Sequence, residues 1–307
     1  MAYTKQSLIH DFQNLGISKG DVVFIRISYK SIGEVKGGPK TVVEALLEVL
    51  GEEGTLLATA FPKRIYSYTR LLHRKEIYKK GSKPTTGIIP VIMSSYPNAH
   101  FSDNPLAPYV VIGSHAEEIT KAHSFDSNSY DIVRYIIEHF SPKCLRIGGN
   151  ILDGTTHLSF SEGLKHTNSY QLRLTDGVYY IKDGKKLWKE KSSSAFCHRG
   201  FETFFNTYIY PTDAVLKEGK VGDGQAMVTC MKSTYEIESK YLSESPKIVS
   251  CDSPSCLVCR TSFSYSDTSN LKFAANIFKN LFTDKWKKTL EMYCTMVLIS
   301  MFGKRCI

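Results

Sequence analysis

Residues 20–61 read "GDVVFIRISYKSIGEVKGGPKTVVEALLEVLGEEGTLLATAF". Within them "VVFIRIS" (22–28) is an almost unbroken apolar, β-branched run, which marks a strand covered on both faces. A glycine loop, "SIGEVKGGPKT" (31–41), follows, and Pro39 suits the first turn of the next element. "TVVEALLEVL" places apolar residues three to four apart, the period of a helix, and Gly51 ends it. "TLLATAF" (55–61) is a second buried strand. Strand, glycine loop, helix and strand in that order commit the chain to the α/β class, and the expected architecture is a layered α/β/α sandwich with a central mixed sheet.

The same alternation extends outward. Thr4 can cap a preceding helix with Leu8, Phe12 and Leu15 on one face. Residues 62–86 are basic and aromatic and read as an insertion or lid. Beyond them come helix "GIIPVIMSSY", strand "YVVIG" (109–113), helices "HAEEITKAH" and "YDIVRYIIEH", and strand "CLRIGG" (144–149). After residue 168 the pattern changes. "YQLRL", "GVYYI" and "KLWKEK" are short strands separated by "TDG" and "KDGK", which predicts a small antiparallel β element. Helices are expected over roughly 200–218 and 225–243, then a cysteine-bearing loop and a terminal helical segment. With no linker in sight, residues 1–307 read as a single unit, made of a core (1–168) and a β-hairpin and helical half (169–307) carrying the cysteine loop 251–259.

Composition narrows the function classes. Hydrophobic residues make up 42% of the 307 and charged residues 22%, as in soluble globular proteins. No apolar run reaches the ~18 residues of a membrane span, and "MAYTKQSLIHDFQNLG" has no basic-then-apolar signal, so a cytoplasmic protein without a membrane partner is expected. The eight cysteines are then expected to be reduced. A net charge of +9 suits an anionic partner such as a phosphorylated cofactor or an acidic carrier protein. No basic-and-aromatic recognition motif stands out, and no nucleic-acid partner is expected.

Three motifs could carry chemistry. The glycine loop lets the backbone approach a ligand, and the helix start behind it offers free N–H groups to phosphate. An ordinary strand-to-helix turn would look the same. "CDSPSCLVCR" spaces Cys251, Cys256 and Cys259 as C-x4-C-x2-C, three thiolates that could hold zinc with Cys197, His198, Cys230 or Cys294 as a fourth ligand. The plainer alternative is a loop of reduced cysteines. "DGTTHLSFSEG" (153–163) follows a strand's C-terminal end, where open α/β sheets carry their sites. There Thr155 or Thr156 can cap a helix on which Ser159 and Glu162 share a face, while His157 points elsewhere. A capped helix with a solvated glutamate is the bland alternative.

Taken in order, residues 20–61, "TTGIIPVIMSSYPNAHFSDNPLAPYVVIGSHAEEI" (85–119) and "LRIGGNILDGTTHLSFSEG" (145–163) resemble the aminoglycoside 3-N-acetyltransferase family. Beyond 168 "KVGDGQAMV" (220–228) is the one later echo. The resemblance implies an acyltransferase that moves an acetyl group from acetyl-CoA to an amine. It further implies that Ser28, Ser31, Gly33, Gly37, Gly38, Thr41 and the retained Ser102 belong to the CoA side of the site. Free acetyl-CoA or another acyl-CoA is the expected co-substrate, with an acyl carrier protein as the alternative donor and a homodimer as the candidate assembly.

The departures from the family pattern bear on mechanism. The family motif Thr-x-x-His-x-x-Glu places its basic histidine where this chain has Ser159, with Glu162 retained and His157 two positions early. Arg26 stands where the family's first strand has histidine, and Phe101 and Asn104 replace an arginine and a histidine around Ser102. A serine hydroxyl does not ionise near neutral pH and cannot serve as the base. Glu162 is the first replacement expected; His157, His123 or His166 is the second, and acylation of Ser159 itself the third. The acceptor is then an amino sugar or a biosynthetic intermediate other than a typical aminoglycoside. A non-catalytic CoA-binding scaffold is the rival class.

Overall fold

The computed structural model describes the chain apart from residues 1, 64, 150–153, 167–170, 174–175, 192–196, 254–255, 257–258, 260–269, 284–285, 288–289, 291–293, 295–303 and 307. In chain order the strands begin with β1 (Val22–Ile27), β2 (Thr55–Thr59), β3 (Ile65–Tyr66), β4 (Ile77–Tyr78), β5 (His100–Phe101) and β6 (Tyr109–Gly113). They continue with β7 (Lys143–Ile147), β8 (Gln171–Arg173), β9 (Asp176–Lys182), β10 (Lys185–Lys191), β11 (Val215–Val221), β12 (Gly224–Cys230) and β13 (Lys304–Cys306). The helices are α1 (Lys5–Asn14), α2 (Pro39–Leu50), α3 (Ile88–Met93), α4 (Ala116–Lys121) and α5 (Asp131–His139), then α6 (Thr156–His166), α7 (His198–Phe204), α8 (Met231–Glu244) and α9 (Asn270–Leu281).

Seven strands form the central sheet in the order β11-β12-β7-β1-β2-β6-β5. β1 runs parallel to both β7 and β2, while β12 and β6 pair antiparallel outside them, so the sheet is mixed. β1 is covered on both faces, as its composition requires. Val23 and Ile25 pack with α1, α2 and α3, whereas Val22 and Phe24 pack with residues of α4, α5, α6 and α8. This is the expected α/β/α layering.

One expectation about the second half needs correction. The helices expected over roughly 200–218 and 225–243 are shorter than that, because two strands lie between them. α7 ends at Phe204, a π-type turn covers Phe205–Ile209, and a hairpin, β11–β12, precedes α8. β12 pairs with β7, so the second half completes the central sheet. The basic segment 62–86, expected as an insertion or lid, carries β3 and β4, which both pair with β9 of the β9–β10 hairpin and build a second sheet. Among the described residues, no helix is long and apolar enough to cross a membrane.

Candidate active site

β1 and β7 end side by side, and a cavity of about 360 Å³ opens beyond their C-terminal ends. Its wall includes Arg26, Ser28, Thr86, Tyr109, Tyr130, Gly148, Gly149 and His157. Gly148 has φ +59, and a Cβ there would come within 2.2 Å of the Ser31 hydroxyl oxygen, so the chain can turn under the cavity only without a side chain. A second cavity of about 360 Å³ lies across Gly148 and Gly149, walled by Arg146, Phe205, Tyr210, Glu218 and Met227.

The expected cofactor residues divide between these surroundings. Ser28 lines the first cavity, and Ser31 packs beneath it, donating to the Ser28 carbonyl at 2.7 Å. Gly37 and Gly38 precede the uncapped N-terminus of α2, where Thr41 donates to the Lys36 carbonyl at 2.9 Å. Gly33 lies against Asp223 of the β11–β12 turn. Ser102 is fully buried and does not line the cavity; it accepts from the Tyr109 N–H and donates to His123 Nδ1, each at 3.0 Å. His123 Nε2 donates to the Asn128 carbonyl at 2.9 Å. Burial pushes His123 down to about 4, so the ring is neutral and supports Tyr109 from behind.

The "TTHLSFSEG" residues go three different ways. Ser159 is fully buried and donates to Glu238 of α8 at 2.6 Å; the Thr155 and Thr156 hydroxyls donate to the same carboxylate at 2.8 and 2.9 Å. Thr155 directly precedes α6, and its carbonyl accepts from the Ser159 N–H at 3.1 Å. Glu162 faces a separate cavity, ion-paired with Arg134 and accepting from Tyr235 Oη at 2.6 Å. His157 alone of the three expected catalytic residues reaches the first cavity, where its ring stacks on Tyr130 with centroids 5.0 Å apart and planes 8° apart. The His166 side chain lies outside the described residues.

Fold, rather than sequence spacing, completes the cysteine group. Cys197, Cys251, Cys256 and Cys259 have all four sulfurs within 4.8 Å of one another. Cys197 and Cys256 are 3.7 Å apart, Cys259 and Cys251 3.8 Å. Cys197 caps α7 through a Gly200 N–H to sulfur bond, and the Cys251 N–H points at Cys259 sulfur. Shared protons set the thiols far apart: bonds from Cys256 and Cys259 hold Cys197 low, while Cys256 is pushed up to about 11 chiefly by Cys197.

Reasoning on the sequence missed Tyr130, Arg146 and Glu238. Glu238 carried a signal, since it occupies the buried stripe of α8 with Met231, Thr234 and Leu242. An acid in an apolar stripe calls for a partner.

Comparison with known proteins fits this geometry. The model of the family described as aminoglycoside 3-N-acetyltransferase matches residues 24–243. The chain is similar to an aminoglycoside N(3)-acetyltransferase III of Pseudomonas aeruginosa, 28% identical over 252 residues that cover 73% of this chain and 88% of the relative. Among solved structures, the apoenzyme of aminoglycoside acetyltransferase AAC(3)-IVa superposes with a TM-score of 0.70 at 21% identity, covering 85% of this chain and 97% of the other. AAC-IIIb, solved as a binary complex with CoASH, gives 0.65 at 18% identity, covering 80% and 97%. With more than two thirds of its residues inside the family match, the chain belongs to the aminoglycoside 3-N-acetyltransferase family.

Proposed function

We propose that the protein is an N-acyltransferase that takes an acetyl or other acyl group from CoA and delivers it to an amine, with His157 as the general base. The observation that carries this reading is the placement of His157 in the wall of the cavity at the ends of β1 and β7, beside Ser28 and the Gly148–Gly149 turn. The amine nitrogen attacks the thioester carbonyl, the new C–N bond forms, and the C–S bond breaks. His157 accepts the proton that the nitrogen sheds, and the departing CoA thiolate takes up a proton. CoA is the donor that the CoASH complex of AAC-IIIb supports; a carrier-protein thioester presents the same pantetheine arm.

The rival reading, a CoA-binding protein without turnover, has its own observation in Ser159, which occupies the motif's histidine position and is locked to Glu238. Release of CoA thiol from acetyl-CoA across a panel of amines separates the two. The enzyme releases thiol, and His157→Asn lowers kcat by about 10²–10⁴ while the thermal shift given by CoA persists. A variant within about threefold of the parent would remove His157 from the role.

We also infer a structural zinc ion as resident metal, held by Cys197, Cys251, Cys256 and Cys259. Zinc–thiolate bonds of about 2.3 Å in a tetrahedron place sulfurs about 3.8 Å apart, which the 3.7 and 3.8 Å pairs match. The backbone N–H groups on two of the sulfurs suit thiolates in such a site. With all four positions filled by protein, the ion would organise the fold and touch no substrate.

A further inference from the structure

Arg26 and Arg146 are register partners on the parallel strands β1 and β7, so two guanidinium-bearing positions sit side by side on one face of the sheet. Arg26 lines the cavity that holds His157, Arg146 lines the neighbouring one, and Gly148 and Gly149 border both.

Arg146 is 5% exposed, and its surroundings do not account for its charge. Nη2 donates to the Met227 thioether sulfur at 2.6 Å, a weak acceptor. The guanidinium carbon lies 4.5 Å from the centre of the Phe205 ring, which is favourable but satisfies no N–H. Among the described residues, Nε and Nη1 are buried with no acceptor. No ion pair to Arg146 exists among the described residues. The carboxylate in its cavity, Glu218, is exposed and accepts from Tyr210 Oη at 2.9 Å. A buried cation with idle donors costs folding free energy unless an anion arrives to pair with it.

We propose that Arg146, with Arg26 beside it, forms an oxyanion subsite for a carboxylate or phosphate group carried by the acceptor. The acceptor's amine then reaches the His157 cavity across the Gly148–Gly149 turn. This deepens the acyl-transfer reading and rests on it. Arg26 lines the His157 cavity and Arg146 its neighbour, so the pair favours an acceptor that carries an anion. An amino acid, an amino-sugar acid or an amino-sugar phosphate has the complementary charge.

The test uses inorganic phosphate as probe, read by thermal unfolding at constant ionic strength against chloride, on the full chain with and without saturating CoA. Phosphate should raise the Tm of the parent protein in a saturable way. Arg146→Gln should weaken its apparent affinity at least tenfold, and Arg146→Lys, which keeps the charge, should fall between. The phosphate effect should persist under saturating CoA. No saturable effect, or an equal effect in Arg146→Gln, overturns the subsite. Loss of the effect under CoA assigns the arginine to the donor's own phosphates and overturns the acceptor class. The shift given by CoA alone reports the acyl-donor reading separately, and in each variant it certifies the fold.

Discussion

Ser159 Oγ lies 2.6 Å from Glu238 Oε2, with both residues buried. The hydroxyl is one of three, with those of Thr155 and Thr156, that converge on the same carboxylate and tie α6 to α8. A buried carboxylate is tolerated when donors of this kind replace its water. Ser159 is therefore a fastening point between the two helices, fully buried and not among the described residues that line the cavity.

Ser159→Ala should cost about 1.5–3 kcal/mol of stability, the range for a hydrogen bond to a charged group. Glu238→Gln should cost more, because one amide oxygen cannot accept from all three hydroxyls while its NH₂ faces donors. Urea unfolding measures both. A change under about 0.5 kcal/mol in each would mean that the α6–α8 knot carries no weight.

Glu162 was the base expected first from the motif, and its surroundings favour an anchoring part instead. It pairs with Arg134 and accepts from Tyr235, facing a cavity apart from His157. Glu162→Gln should leave kcat within about threefold. The stability loss should be about 1 kcal/mol or less, since the Arg134 side chain is 39% exposed and the pair is partly screened. A loss of kcat near that of His157→Asn would return Glu162 to the chemistry.

What could be read from the sequence, and what could not, follows from burial. β1 declares itself because both of its faces are covered, and α2 because its apolar stripe faces one way. β11 hides because it is an edge strand: "VLKEGKV" is exposed along most of its length and uses residues equally at home in a helix. The cysteine spacing announces three thiols of one loop. Cys197, more than fifty residues earlier, joins them only once α7 packs beside that loop. Which of Ser159, Glu162 and His157 faces the cavity depends on how α6 is rotated, and that is set by the Glu238 knot on a helix far along the chain.

His123 links pH to stability. Buried and held neutral between Ser102 and the Asn128 carbonyl, it is depressed to about 4 from an ordinary value near 6.5. The unfolded chain therefore takes up a proton that the folded chain refuses. The stabilisation is complete above about pH 6.5 and is lost as pH falls toward 4. A displacement of this size is worth about 3 kcal/mol over that window. Urea unfolding between pH 7.5 and 4.5 should show the decline, and His123→Gln should flatten it; equal slopes in both proteins would assign the acid sensitivity elsewhere.

The sulfur cluster makes the last prediction, and it reaches the site. Cys197 caps α7, and the turn that continues α7 carries Phe205, the ring stacked on Arg146. Protein purified without added zinc should contain about one ion per chain by elemental analysis, since the tetrahedron supplies every ligand. Cys197→Ser should lower zinc content and drop Tm by more than about 5 °C, equivalent to roughly 2 kcal/mol or more in a chain of this size. Cys294→Ser should change neither, because Cys294 is exposed and outside the cluster. If Phe205 is held in place through this ion, Cys197→Ser should also weaken phosphate binding at Arg146 while leaving the CoA shift intact. Zinc-free protein with an unchanged Tm on chelation would reduce the four sulfurs to packed thiols.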